Sequence, residues 1–211
     1  MIFGDSLNVF AFQDPAVLAI LQSRVHEIWA RFFGSSLEDR LRYTPTDCFE
    51  TFPFPAGWNT NLALQQIGQR YQEYRAGLMK RTGKGLTETY NRFHNKCNTD
   101  AEISILQQLH TDMDRTVLRA YGWDLEPTLD FILDHEDDEE GIDDGKKPWR
   151  YRWVDEDRDE ILARLLELNR TRAEEQAQSA PAVRAPKKRG KSTTAALISP
   201  PKLFDFQENT E

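Results

Sequence analysis

The stretch from Lys80 to His94, KRTGKGLTETYNRFH, concentrates the side chains of this sequence best suited to binding. Its glycines permit close backbone approach and its cations supply charge. Thr87, Thr89, Tyr90, Asn91 and His94 add hydrogen-bonding groups, a set that can meet phosphates or base edges. The same residues also read as a connector between helices with solvated cations. Arg70 to Lys96 holds seven Lys or Arg against Glu73 and Glu88, and Arg184, Lys187, Lys188, Arg189 and Lys191 form a second basic cluster. Clusters of this kind are electrostatic footprints for phosphate backbones. Trp149-Arg150-Tyr151-Arg152-Trp153 alternates rings and cations, so its rings either stack on bases or cover a neighbouring helix.

Catalytic constellations are sparse. The sequence has no G-x-x-x-x-G-K-[ST], G-x-G-x-x-G, H-E-x-x-H or G-x-S-x-G pattern. His94-x-x-Cys97 is a close pair of soft ligands without a second pair at zinc spacing, which argues against a metal site. His26 and His110 fall within amphipathic patterns and read as hydrogen-bonded structural histidines. Independent enzymatic activity is not expected.

Positioning these groups requires a mainly α fold of amphipathic helices. Leu7 to Phe12 alternates as a strand, and Asp14-Pro15 opens a helix carrying Val17, Leu18, Leu21, Val25, Ile28, Trp29 and Phe32 on its core face until Gly34. Leu41 to Pro55 is an irregular, proline-rich connection packed by Tyr43, Phe49, Phe52 and Phe54. Asn59 to Thr82 reads as a helix with Leu62, Leu64, Ile67, Tyr71, Tyr74 and Leu78 inward, followed by a short helix from Thr87 to Phe93. Thr99-Asp100-Ala101-Glu102 has the capping-box form and starts a helix bearing Leu106, Leu109, Met113, Val117 and Tyr121. A last helix from Asp155 carries Ile161, Leu162, Leu165, Leu166 and Leu168. The pattern divides the chain into 1–58, 59–134, an acidic linker 135–148, the Trp/Arg segment with its helix 149–178, and a basic tail 179–211 too polar to fold.

Composition bounds the rest. The 211 residues are 39% hydrophobic and 29% charged, enough for a modest core and too few for a large multidomain enzyme. The formal net charge of −8 comes from Asp124 to Asp144, where eleven acids stand without a Lys or Arg; the remainder is mildly basic. Two cysteines, Cys48 and Cys97, rule out a disulfide scaffold, and no apolar run approaches the ~20 residues of a membrane span. With no basic, apolar leader at Met1, the expected compartment is the cytoplasm. A strand so close to Met1 with no partner in sight suggests the end of something longer.

Several of these residues also resemble a known family. Ser23-Arg24-Val25-His26-Glu27-Ile28-Trp29 and Leu41 to Pro55 (LRYTPTDCFETFPFP) are similar to the end of the target-recognition region in large adenine-specific DNA methyltransferases. That family includes Type IIG restriction–modification enzymes and the methylases of BREX and DISARM phage defence. Gly85 to His94 (GLTETYNRFH), Leu109 to Arg115 (LHTDMDR) and Ala120-Tyr121-Gly122-Trp123 resemble the helical segment that follows, and Arg150 to Trp153 and Arg164 to Asn169 fit the C-terminal part. The resemblance runs from about Leu7 to Arg172. It implies a protein that uses S-adenosylmethionine to methylate adenine N6 at a defined DNA sequence. The glycine-containing cofactor motif and the Asn-Pro-Pro-aromatic motif of such enzymes do not occur in this sequence. The expectation is therefore a DNA-recognition and scaffold portion, its short N-terminal strand the remnant of a recognition domain and its C-terminal tail disordered. It would partner double-stranded DNA and a separate methyltransferase domain or catalytic subunit, with no cofactor of its own. Arg40, Arg42, Lys80, Arg81, Lys84, Thr87, Tyr90, Asn91 and Arg92 are the candidate DNA contacts. The alternative is a helical module that docks on a catalytic subunit without touching DNA.

Overall fold

The computed structural model describes residues 8, 10–34, 43–133 and 149–179. Arg40 and Arg42, the acidic stretch from Glu136 to Asp144 and the tail from Pro181 onward lie outside the described residues. The architecture is mainly helical, as expected, with one small sheet among the described residues.

Helix α1 (Pro15–Gln22) opens where the Asp14 carboxylate accepts the Ala16 N–H at 2.9 Å and Pro15 occupies the first turn. Where one continuous helix to Gly34 was expected, the chain breaks at Ser23, which is extended, and resumes as α2 (Arg24–Phe33). Ser23 donates its hydroxyl back to Ile20 O at 2.7 Å, the kind of local bond that lets serine end a helix. The Arg24 N–H meets the Asp114 carboxylate at 2.9 Å, so a side chain from a distant helix supplies what would otherwise be an unsatisfied donor at the start of α2. Phe32, expected on the core face, is 54% exposed.

The proline-rich connection is ordered from Tyr43 onward. A wide turn over Pro45–Phe49 closes with Glu50 N–H to Pro45 O, and Phe49, Phe52 and Phe54 are buried. Helix α6 (Asp155–Ser179) fastens this loop: Asn169 donates to Thr51 O and Arg172 to Phe54 O, both at 2.7 Å. The described part of the expected strand, Asn8 and Phe10 to Phe12, has no β pairing; Phe10 instead packs on Phe49 with ring centroids 4.9 Å apart.

Helix α3 (Leu62–Thr82) is capped by Asn61 and ends at Gly83, whose φ of +66° is the left-handed conformation that favours glycine. Leu62, expected inward, is 69% exposed because it sits at the start of the first turn, whereas Leu64, Ile67, Tyr71 and Leu78 are buried. Gly68 presses α3 against α1. A Cβ there would fall on the Pro15 carbonyl and within 3.3 Å of Ala19 Cβ. Helices α4 (Leu86–Phe93) and α5 (Ala101–Ala120) follow, and Asp100 rather than Thr99 caps α5, accepting the Glu102 N–H at 2.8 Å.

Strand β1 (Leu129–Leu133) pairs antiparallel with β2 (Trp149–Trp153), Leu129 opposite Trp153 and Leu133 opposite Trp149. Sequence patterning did not mark β1 as a strand. Two adjoining apolar clusters form the core. One gathers Ile20, Val25, Trp29, Phe52, Phe54, Leu64, Val117, Trp153, Ile161 and Leu165; the other gathers Ile67, Tyr71, Leu78, Phe93, Ile103, Leu106 and Met113. Each fully buried side chain of this size contributes roughly 1.5–3 kcal/mol before conformational entropy is set against it. No helix among the described residues is long and apolar enough to cross a membrane.

Candidate nucleic-acid interface

Helix α4 carries four of the candidate residues, Thr87, Tyr90, Asn91 and Arg92. It follows the turn at Gly83 to Gly85, and Thr89, itself buried, secures its first turn by donating hydroxyl and amide to Gly85 O at 2.9 and 3.0 Å. With Thr89 inward, Thr87 and Asn91 lie one helical turn apart on the exposed face. Lys80, on the last turn of α3, is also exposed.

The other cations are engaged. Lys84 pairs with Glu88, Arg92 with Asp100, and Arg81 with Glu102 at 2.7 Å. Pairs of this exposure are worth about 0–1 kcal/mol, so a phosphate can replace the carboxylate, but until it does the local field is small. Tyr90 points the other way. Its hydroxyl meets the Tyr71 hydroxyl and lies 3.2 Å from His110 Nε2, beneath α4. Thr87, Asn91 and Arg92 thus lie on one short helix, Lys84 in the turn before it and Lys80 and Arg81 on the last turn of α3, while Tyr90 bonds inward.

Tyr90 there joins a polar network the sequence did not reveal. His110 Nε2 is 3.1 Å from Tyr71 OH, and Arg75 donates to Tyr71 OH at 3.1 Å and to Gln22 Oε1 at 2.9 Å. Burial pushes the Tyr71 phenol up, with Tyr90 adding to it, and pushes His110 well down, helped by Arg24 and Arg75. Nearby, the buried Arg24 guanidinium reaches Asp114 Oδ2 at 2.6 Å and Tyr151 O at 3.3 Å, and lies 5.4 Å from the Tyr151 ring centre. Burial raises the Asp114 carboxyl while Arg24 opposes the rise. His94 Nδ1 accepts the Tyr151 N–H at 3.0 Å, and burial, then Arg150, lowers its pKa to about 4. A cavity of about 260 Å³ lies among Ser23, Arg24, Glu27, His94 and His110. With His94, His110 and Tyr71 uncharged near neutral pH, this assembly joins α3, α4, α5 and β2 through hydrogen bonds. The sequence marks His110 as a hydrogen-bonded structural histidine and Tyr71 as inward, but not their meeting with Tyr90, since the three come from separate helices.

The rings of β2 differ in their surroundings. Trp153 is buried in the core and Tyr151 packs on Phe131 and Phe93, with centroids 4.8 and 5.9 Å away, so these two cover neighbouring elements. Trp149 is 41% exposed, with Lys96 Nζ 5.2 Å from its ring centre.

Nearer the N-terminus, Phe10, Phe12, Val17, Leu21 and Tyr43 line a groove of about 450 Å³. His26 stands at its wall, 3.0 Å from Tyr43 OH through Nε2, its pKa lowered to about 3 by burial.

Compared with known families, residues 1–56 match the profile of the MmeI target recognition domain. No curated protein and no solved structure matches the chain. The matched segment contains α1, α2 and the turn over Pro45–Phe49, while α3 to α6 and the strand pair lie beyond it.

Proposed function

We propose that this chain is a DNA-recognition and scaffold part of a restriction–modification or phage-defence enzyme, and specifically of one that methylates adenine N6 at a defined site. The observation that carries the reading is the match of residues 1–56 to a target recognition domain. The resemblance of later segments to adenine-specific methyltransferases of the Type IIG, BREX and DISARM kinds supports the finer identification. S-adenosylmethionine and the chemistry belong to a methyltransferase domain or catalytic subunit, because this sequence lacks the cofactor and Asn-Pro-Pro-aromatic motifs. The partners are double-stranded DNA and that catalytic domain, in the cytoplasm. DNA contact is assigned to the outer side of α4, with Lys80, Arg81, Lys84 and Arg92 on phosphates and Thr87 and Asn91 toward base edges. Arg40 and Arg42 are further phosphate contacts in this reading, and Tyr90 acts from beneath.

The test is DNA affinity as a function of salt. Lys84→Ala should weaken binding to all sequences alike and flatten the slope of log K against log salt by about one unit. An unchanged slope would remove Lys84 from the interface. A second reading, docking on a catalytic subunit without DNA contact, is favoured by the carboxylate partners of Lys84, Arg81 and Arg92 and by the exposed Phe12, Phe32 and Leu62. It predicts no salt-sensitive DNA affinity even at low ionic strength, together with self-association of the isolated chain.

A further inference from the structure

The register of the strand pair puts Trp149, Tyr151 and Trp153 on one face of β2 and runs them from the core outward, Trp153 at 2% exposure and Trp149 at 41%. An indole normally dominates whatever core or interface it joins, so one left half in water at the end of a ladder calls for a partner. Its mounting is stiff. One edge of β2 is paired to β1, and on the other edge the Tyr151 N–H is held by His94 and the Tyr151 carbonyl by Arg24. Lys96, exposed in the turn after α4, places its ammonium over the indole.

We infer that Trp149 and Lys96 form a stacking platform for an unpaired nucleobase, the ring taking the base and the ammonium the adjoining phosphate. A π-face beside a mobile cation matches the two faces of a nucleotide, one apolar and flat, the other anionic. This rests on the DNA-recognition reading and extends it from the duplex to a base outside the duplex. The location fits. Lys84 lies in the turn before helix α4 and Lys96 in the turn after it, and the eight residues of α4 between them span about 12 Å.

The experiment uses the full chain and two labelled probes, a blunt duplex and the same duplex with one extrahelical base, with affinity read by fluorescence anisotropy. The unaltered protein is expected to prefer the second probe. Trp149→Ala should lose about tenfold in affinity for it and change little on the blunt duplex. Trp149→Phe should keep most of the preference, and Lys96→Ala should lower it with a shallower salt slope, which keeps the idea testable if the alanine at 149 unfolds the hairpin. Should duplex binding persist while no preference exists, or while the preference survives Trp149→Ala and Lys96→Ala, the platform is overturned and the DNA reading stands. Loss of salt-sensitive binding to both probes in the unaltered protein overturns the two together.

Discussion

Arg24 and Asp114 show what a single buried pair does here. Arg24 is 5% exposed and Asp114 2%, and the carboxylate answers both the guanidinium and the amide that begins α2. Asp114→Ala leaves a cation and a helix-starting amide without that partner, and should cost about 3–5 kcal/mol in urea denaturation. Replacing both residues by apolar ones, Arg24→Met with Asp114→Leu, should cost far less, since it is the orphaned charge that is expensive. Equal losses in the single and double variants would mean that packing, not charge, dominates the site. The neighbouring histidines give the protein an acid limit. Their folded pKa values, about 4 for His94 and about 3 for His26, lie below the ordinary 6.5, so protons bind the unfolded chain first. Their contribution is complete above pH 6.5 and declines as pH falls toward 4, by up to about 1.4 kcal/mol per pH unit for each histidine. Urea midpoints at pH 7.5, 6.5 and 5 should show a plateau and then a fall, and His94→Gln should make the fall shallower. A midpoint level down to pH 5 would exclude this linkage.

Among the elements, α3 is the one most tightly constrained, because Gly68 lets the backbone of α1 approach it. Gly68→Ala should destabilise the chain by about 1–3 kcal/mol or more, as overpacking against a carbonyl has nowhere to relax. Gly77→Ala in the same helix is the contrast. Its new methyl would meet only the far end of Arg81, 3.0 Å away, and it should stabilise by up to about 1 kcal/mol through helix propensity. Thermal melts of the two variants should move in opposite directions. The long helices were readable because their apolar positions repeat at three and four residues, and α3, α4, α5 and α6 lie close to where that repeat puts them. The break at Ser23 was not readable, since the apolar spacing continues across it and the aspartate that takes up the Arg24 N–H lies 90 residues away. Strand β1 escaped because five residues, Leu129 to Leu133, are too few to separate a strand from a buried turn of helix, and its partner begins only at Trp149. On α4 the spacing placed the helix to within one residue of its start, but Tyr90 could be turned inward only by knowing that Tyr71 and His110 lie below it.

Across the whole molecule, the segment that matches a target recognition domain does not keep its apolar surface to itself. Ile20, Val25, Trp29, Phe52 and Phe54 from that segment share one cluster with Leu64, Val117, Trp153, Ile161 and Leu165 from beyond it. Asn169 and Arg172 on α6 bond to its carbonyls, and Gly68 on α3 receives its first helix. For anyone wishing to exchange the matched segment between related chains, residue 56 is consequently the wrong place to cut. A chimera joined there would put two halves of one interior from different parents face to face. A transplant that carries α3, α5, β2 and α6 along with the matched segment keeps both halves from a single parent.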